Sequence, residues 1–499
     1  MIDLLIVGGY LTFMLGVGWR ARKASADAYW VADRQYGTGP VAASLVATIF
    51  GASSTVGIIG LGYSRGLTGA WWALVGGLAL VPFAFFLASR VRTLEVYTLP
   101  DILRKAYGKR VEMAGGVVIA IAWCGVVAAQ IVAGAHLVGG VFSLPFRVAL
   151  SVVAVVFVLY TLWGGQLSVI RTDAWQIILF VGGLMASLLL VLMAGVRGEG
   201  VLSGVPTDFL SFPVSSHFGW YHLLVFYPLI VGMPYLVGPD IYSRVLCARD
   251  GPTARRASIL AAVGVVPLSF VLALLGLMIF AQFPGIPPES ALPHAVTNLA
   301  PVGLKGLIVV GVLGAIMSSA DTTLMSASTV LSLNVVSPLA GLTRRAELRL
   351  TRVLVVGMGI GAWGIAAFQE GIISSLLLAF TVFVGGVSVP TLATFWKDRL
   401  GVNATGAFWA VVVGGVVAVM GEFREGAVLD GVLGSGGTRL VGTILGPEYG
   451  SILPVLLSAV VLFVLSWLSG GESKASPEGT ADAEEGSHVS TLDDPSLAD

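Results

Sequence analysis

Thirteen apolar segments, each long enough to cross a bilayer, run through this chain: 2–19, 37–62, 69–89, 111–141, 146–163, 172–195, 218–243, 256–283, 303–337, 345–368, 371–395, 403–421 and 450–469. In hydrocarbon every backbone amide and carbonyl must find its partner within the protein, which leaves only helices and closed barrels. A spanning strand needs about 9–11 residues and a spanning helix about 20, so segments of this length predict helices. The composition agrees. The 499 residues are 56% hydrophobic and 11% charged, where a soluble domain carries about 25% charged residues. The expected fold class is an all-α polytopic membrane protein with about 13 transmembrane helices, and its first partner is the lipid bilayer.

Charge placement sets an expected orientation. With the N-terminus outside, only Arg65, Arg147, Arg197, Lys305, Arg424 and Arg439 of the 28 lysines and arginines fall on the outer side. The rest cluster on the cytoplasmic side, as the positive-inside rule requires. The first apolar run is too long for a cleavable signal and is read as a span. Zero net charge offers no electrostatic handle for nucleic acid. Cys124 and Cys247 form neither a disulfide framework nor a metal cluster. Residues 470–499 are acidic and rich in Ser, Gly and Pro, and are expected to be a disordered cytoplasmic tail.

One segment is unlike the others. Within 303–337, the stretch Gly314–Thr329 carries eight hydroxyl or carboxylate side chains. At about 100° per residue, Ala315, Ser318, Ser319, Asp321, Thr322 and Ser326 share one half of the circumference. Asp321 stands sixteen residues beyond Lys305, roughly 24 Å into the membrane at ~1.5 Å per residue. A carboxylate at that depth is costly and reads as functional.

Two segments are interrupted. Phe50-Gly51-Ala52-Ser53-Ser54-Thr55 breaks the second, and Gly232-Met233-Pro234-Tyr235 breaks the seventh, with Gly238-Pro239-Asp240 following. Setting the first segment aside, the breaks open each half of a ten-helix core. Matched interrupted helices in two halves are the sequence mark of a transporter with inverted repeats and a site at the midplane.

Four stretches now carry a resemblance. They are Asp27-Ala28-Tyr29-Trp30-Val31-Ala32-Asp33-Arg34; Ala43 to Ala47 running into Gly60-Leu61-Gly62-Tyr63; Tyr160 to Ser168 with Thr172, Asp173 and Gln176; and Met317-Ser318-Ser319. Together they resemble the sodium:solute symporter family over about residues 1–470, with Gln166 a minor departure. The resemblance implies a LeuT-type 5+5 inverted-repeat core, alternating access and coupling to Na⁺. It divides the chain into a first helix and loop (1–36), two five-helix repeats (37–195 and 218–396), two peripheral helices (397–469) and the tail.

The resemblance also implies sites. A main Na⁺ site maps onto the carbonyls of Ala47, Phe50 and Ala315 and the hydroxyls of Ser318 and Ser319. Na⁺ is a hard cation that takes oxygen ligands, and a broken helix frees carbonyls. A serine pair alone would as readily bond its own preceding turn or join helices. Asp173, Asp321 and Thr322 match positions where some relatives hold an additional sodium, and a second cation, Na⁺ or a proton, is expected between the two carboxylates. The alternatives are that Asp173 pairs with Arg171 or a loop arginine and that Asp321 is structural. Asp240 with Arg244 reads as a gate or a structural ion pair.

The solute is expected between the breaks, at Ser53, Ser54, Thr55, Trp72, Gln130 and Tyr235. Plain packing is the alternative for Trp72 and Gln130. Sugar-carrying relatives have acid or amide groups at the positions of Ser53, Ser54 and Ala73. Their absence favours a small amino acid or organic acid over a sugar, with a carboxylate held by backbone N–H groups. No catalytic cluster of an enzyme is present, and no pore loop of a channel. The tail is too short for a sensor domain. Sodium-coupled symport is the first reading; coupling to protons or another cation, or a channel or sensor built on the same fold, is the alternative. A monomer or weak oligomer is expected.

Overall fold

The computed structural model describes residues 1–21, 25–197, 202, 204–369, 371–423, 443, 445 and 448–470. The expected tail beyond Gly470, and Arg22, Lys23, Arg424, Arg439 and Lys474 of the charge count, lie outside the described residues. The helices that frame the bundle and its breaks are α1 (Ile2–Ala21), α2 (Thr38–Ile49), α3 (Ile58–Arg65), α4 (Trp71–Pro82), α5 (Lys109–Phe142), α6 (Phe146–Arg197), α7 (Met233–Val237), α8 (Pro239–Leu246), α9 (Gly251–Gln282), α10 (Leu304–Val330), α11 (Arg344–Phe368), α12 (Ile372–Phe383), α13 (Ala404–Phe423) and α14 (Tyr449–Ser469). Among the described residues ten helical stretches are long and apolar enough to cross a membrane. One of them, Phe146–Val196, takes in two of the apolar segments read from the sequence. They meet at Gly165 alone, which takes φ +57° and ψ −170°. Only glycine adopts that conformation without strain, and an added Cβ would sit 2.4 Å from the Tyr29 ring.

α10 is the most enclosed helix of the bundle. Of its most apolar window 94% is buried, against 22% for α1 and 28% for α11. The apolar half of the expected stripe does not face lipid: Ile316, Met317, Ala320 and Leu324 are as buried as Ser318 and Asp321. Small residues make this enclosure close. A Cβ on Gly311 would lie 2.4 Å from the Leu179 carbonyl oxygen of α6. Asp3 of α1 caps the start of α10, its Oδ1 accepting from the amides of Gly303 and Gly306 at 2.8 Å each. It satisfies two of the amides a helix start leaves free.

The first expected break is present, and the second is shifted. α2 ends at Ile49, Phe50 leaves helical geometry at ψ +50°, and the chain resumes through a π-helical turn, Ser53–Gly57. The second break lies at Gly238 rather than Gly232. Gly238 is extended, at φ −68° and ψ +141°, because Pro239 excludes the helical region for the residue before it. The stretch His222–Gly232 instead runs as a π-helix, whose wider turns accommodate Pro228, and Pro234 falls in the first turn of α7, where its missing N–H is not needed.

α3 and α9 cross at glycines of both helices. An ideal Cβ on Gly276 would sit 2.0 Å from the Ile59 carbonyl oxygen and 2.8 Å from the Tyr63 amide, and one on Gly182 would meet nothing within 4 Å. Gly276→Ala is expected to destabilise the protein by about 1–3 kcal/mol, read as a lower Tm of the purified chain, with Gly182→Ala unchanged. Equal Tm values would show that the crossing yields freely.

Candidate functional site

The end of α2 supplies free backbone. A helix leaves its last four carbonyls without intrahelical donors. The Phe50 amide bonds back to Val46 at 3.0 Å, and the chain then turns out of the helix, which leaves the Ala47 carbonyl at the break. Gly51 lies against α10: an ideal Cβ there would be 2.4 Å from Ser319 Oγ and 2.8 Å from Gln130 Nε2. The break and the serine pair are therefore brought together. Ala47, Phe50, Ala315, Ser318 and Ser319 are all buried.

Gln130 of α5 bridges the two. Its Oε1 accepts from the Ala52 amide at 2.6 Å and its Nε2 donates to Ser319 Oγ at 3.1 Å. Both ends of this amide are thus engaged by the broken helix and by α10. Among the expected solute residues, Gln130 has the role of scaffold. Thr55 is also engaged locally, donating to the Gly51 carbonyl at 2.7 Å. The Ser54 hydroxyl lies next to Tyr235. Tyr235 packs on Gly76 of α4 and stands edge-on to Phe380 at 6.5 Å between ring centroids. Trp72 is buried and edge-on to Tyr227 at 5.8 Å, and its Nε1 has no hydrogen-bond partner among the described residues. Ser53 is buried on the π-helical turn. Ser53, Ser54, Trp72 and Tyr235 thus remain as groups with polar atoms not consumed by the scaffold.

Asp173 and Asp321 have different surroundings. Asp173 Oδ1 accepts from Ser318 at 2.6 Å, and its Oδ2 accepts from Ser44 of α2. Arg244 of α8 completes the set at 3.4 Å, with both side chains fully buried. Arg244 also donates to Thr48 at 3.1 Å. Arg171 turns elsewhere, to the Tyr36 hydroxyl. The expected partner of Arg244, Asp240, is not the one it pairs with: the salt bridge spans from α8 to α6. A guanidinium thus already supplies positive charge to Asp173. Asp321 accepts from Thr161 at 2.8 Å through Oδ1, and its buried Oδ2 has no partner among the described residues. Thr322 donates to the Ser318 carbonyl at 2.7 Å. Of the three groups expected at a second cation, Asp321 alone keeps a free buried oxygen.

Ser44, Thr48 and Thr161 were not among the sequence candidates. Ser44 and Thr48 share a face by their spacing of four on a helix, and that spacing was the available signal. Ser326 and Thr329 of α10 line a cavity of 20 Å³ together with Trp30 and Tyr97. Arg344 lies against two of these walls. It stacks 4.2 Å from the Trp30 centroid and 4.5 Å from that of Tyr97, and pairs with Asp27 at 2.8 Å. The Tyr97 hydroxyl, and then Arg344, hold the Asp27 carboxyl below the usual carboxylate range.

A family model described as the sodium:solute symporter family matches residues 29–414. The sodium/glucose cotransporter 4 of Danio rerio is 24% identical over 520 residues, covering 94% of this chain and 78% of that protein. The sodium/myo-inositol cotransporter 2 of Oryctolagus cuniculus is 27% identical over 467 residues, 83% of this chain and 68% of that protein. Among solved structures, the substrate-bound outward-open state of a Na⁺-coupled sialic acid symporter aligns with a TM-score of 0.74 at 17% identity, covering 94% of this chain and 98% of that one. Mhp1, a nucleobase-cation-symport-1 family transporter, aligns with a TM-score of 0.59 at 14% identity over 89% and 95% of the two chains. The fold is LeuT-type, and the chain is a multi-pass membrane protein.

Breaking a buried ion pair from one side leaves an uncompensated charge and costs about 3–5 kcal/mol. Arg244→Met is expected to lower the thermal stability of the purified protein by that order. Arg244→Met with Asp173→Asn is expected to recover most of it. Equal Tm values for the single and double variants would show that the two charges are not coupled.

Proposed function

Because the chain belongs to the sodium:solute symporter family, and is a transporter rather than an enzyme, we propose that it couples the inward movement of Na⁺ to that of a small organic solute by alternating access. One observation carries this reading: the serine pair of the most enclosed helix lies against the carbonyl-bearing end of a broken one. Na⁺ is assigned to the carbonyls of Ala47, Phe50 and Ala315 and the hydroxyls of Ser318 and Ser319. All five are neutral ligands, which release a hard cation more readily than carboxylates do. Asp173 stands behind Ser318 as a second layer that orients its hydroxyl.

A second cation is assigned to Asp321. Its unpartnered buried oxygen supports this, since a lone carboxylate in such surroundings takes a proton or a cation. Arg244 holds Asp173 in this structure, and Asp173 joins Asp321 and Thr322 only when that pair opens. The solute is assigned to Ser53, Ser54, Trp72 and Tyr235. Hydroxyls, aromatic walls and no free side-chain acid favour an amino acid or organic acid. A polyol is the second reading, favoured by relatives named for glucose and myo-inositol.

Residues 37–195 and 218–396 serve as the two five-helix repeats, with 1–36 and 397–469 peripheral to them. The concentration of basic residues supports an N-terminus outside and a C-terminus in the cytoplasm, in the plasma (inner) membrane. Both halves of the site come from one chain, so a monomer suffices.

Proteoliposomes with an inward Na⁺ gradient are expected to accumulate solute above equilibrium, the solute first being found by thermal shift with and without Na⁺. Downhill flux alone would indicate a channel. Ser319→Ala is expected to raise the Na⁺ concentration for half-maximal uptake on the order of tenfold. Asp321→Asn is expected to lower the number of cations moved per solute. An unchanged stoichiometry together with unchanged Na⁺ affinity would remove the second cation.

A further inference from the structure

A large cavity lies on residues other than those of the site. It is a groove of 1040 Å³ between α5 and α13, and its floor includes Ala114 and Gly415. Its rim is apolar and exposed: Val117, Ile121, Trp409 and Val416 are 42%, 56%, 46% and 50% accessible. From Lys109 to Ile121 it follows about 18 Å of helix, somewhat more than half of a ~30 Å hydrocarbon core. It is therefore the depth of one leaflet.

One end of the groove is basic. Lys109 and Arg110 line it there. Lys397 stands beside the same end, 5.6 Å from the centroid of Tyr107, which also lines the groove. The nearest acid on α5, Glu112, is turned away: it is buried, accepts from Asn334 at 2.9 Å and pairs with Arg104. Lys109 donates to the Pro338 carbonyl, while Arg110 is exposed. α5 and α13 both start at this end, so both helix dipoles add positive potential there.

We propose that this groove binds one anionic phospholipid, its phosphate held between Lys109 and Arg110 and its acyl chains laid along α5 and α13. The charge at one end and the apolar length beyond it match a single lipid of the leaflet on the basic side. A neutral patch of bilayer-facing surface would lack the first feature, and a flat one would lack the concavity.

The test uses the full chain reconstituted in vesicles of phosphatidylcholine and phosphatidylglycerol in equal parts, then extracted and weighed with its retained lipid by native mass spectrometry. Wild type is expected to retain phosphatidylglycerol over phosphatidylcholine on the order of tenfold. Lys109→Gln with Arg110→Gln is expected to return that ratio to near one. Ala114→Trp, which fills the floor, is expected to lose both lipids, and Val117→Trp on the rim serves if the first variant does not fold. Retention in bulk proportion by wild type, or an unchanged preference in the double variant, would overturn the proposal. So would efficient disulfide dimerisation of Trp409→Cys in the membrane, which would make the groove an interface between copies of the chain.

Discussion

The carboxylate of Asp173 is the point on which the centre of this protein depends. It accepts from Ser44 of α2 and Ser318 of α10 and faces the guanidinium of Arg244 from α8. Three helices from both halves of the chain therefore converge on one buried charge of α6. A carboxylate in such surroundings is tolerated only while it is paired. The arrangement thus fixes where α10 sits relative to the two broken helices, and the serine pair owes its position at the break to it.

Much of this architecture was legible in the sequence, because the bilayer allows few solutions. The apolar segments, the polar stripe of α10 and the break at Phe50 to Ala52 all follow from the cost of unsatisfied groups in hydrocarbon. The convergence of Ser319 on that break was legible through the family motif. The second break lies at Gly238, six positions beyond Gly232, since Pro239 excludes the helical region for the residue before it and a Cβ at Gly238 would meet the Pro234 carbonyl oxygen at 2.2 Å. The partner of Asp173 was not legible. Arg244 is 71 positions away in sequence, and nearer arginines were available; only the packing of α8 against α2 and α10 selects it. The burial of α10's apolar half was not legible either, because enclosure is a property of neighbours.

A second cluster pairs charge with aromatic rings. Trp30 and Tyr97 lie against the Arg344 guanidinium and Asp27 pairs with it, while both charged side chains stay about half exposed. Contacts of this kind at exposed sites are worth about 0.5–1 kcal/mol. The same two rings are walls of the small cavity that Ser326 and Thr329 line.

Gln130 has a consequence of its own. One primary amide touches the Ala52 N–H, which precedes the hydroxyls of Ser53 and Ser54, and Ser319, which stands at the end of α2. Neither bond is long enough to absorb a shift of an ångström, so a displacement at one end is answered at the other. Two occupants that never meet would then influence each other's affinity by equal factors in both directions, as linkage between binding sites demands. The amide would act as a thermodynamic lever with its fulcrum in α5.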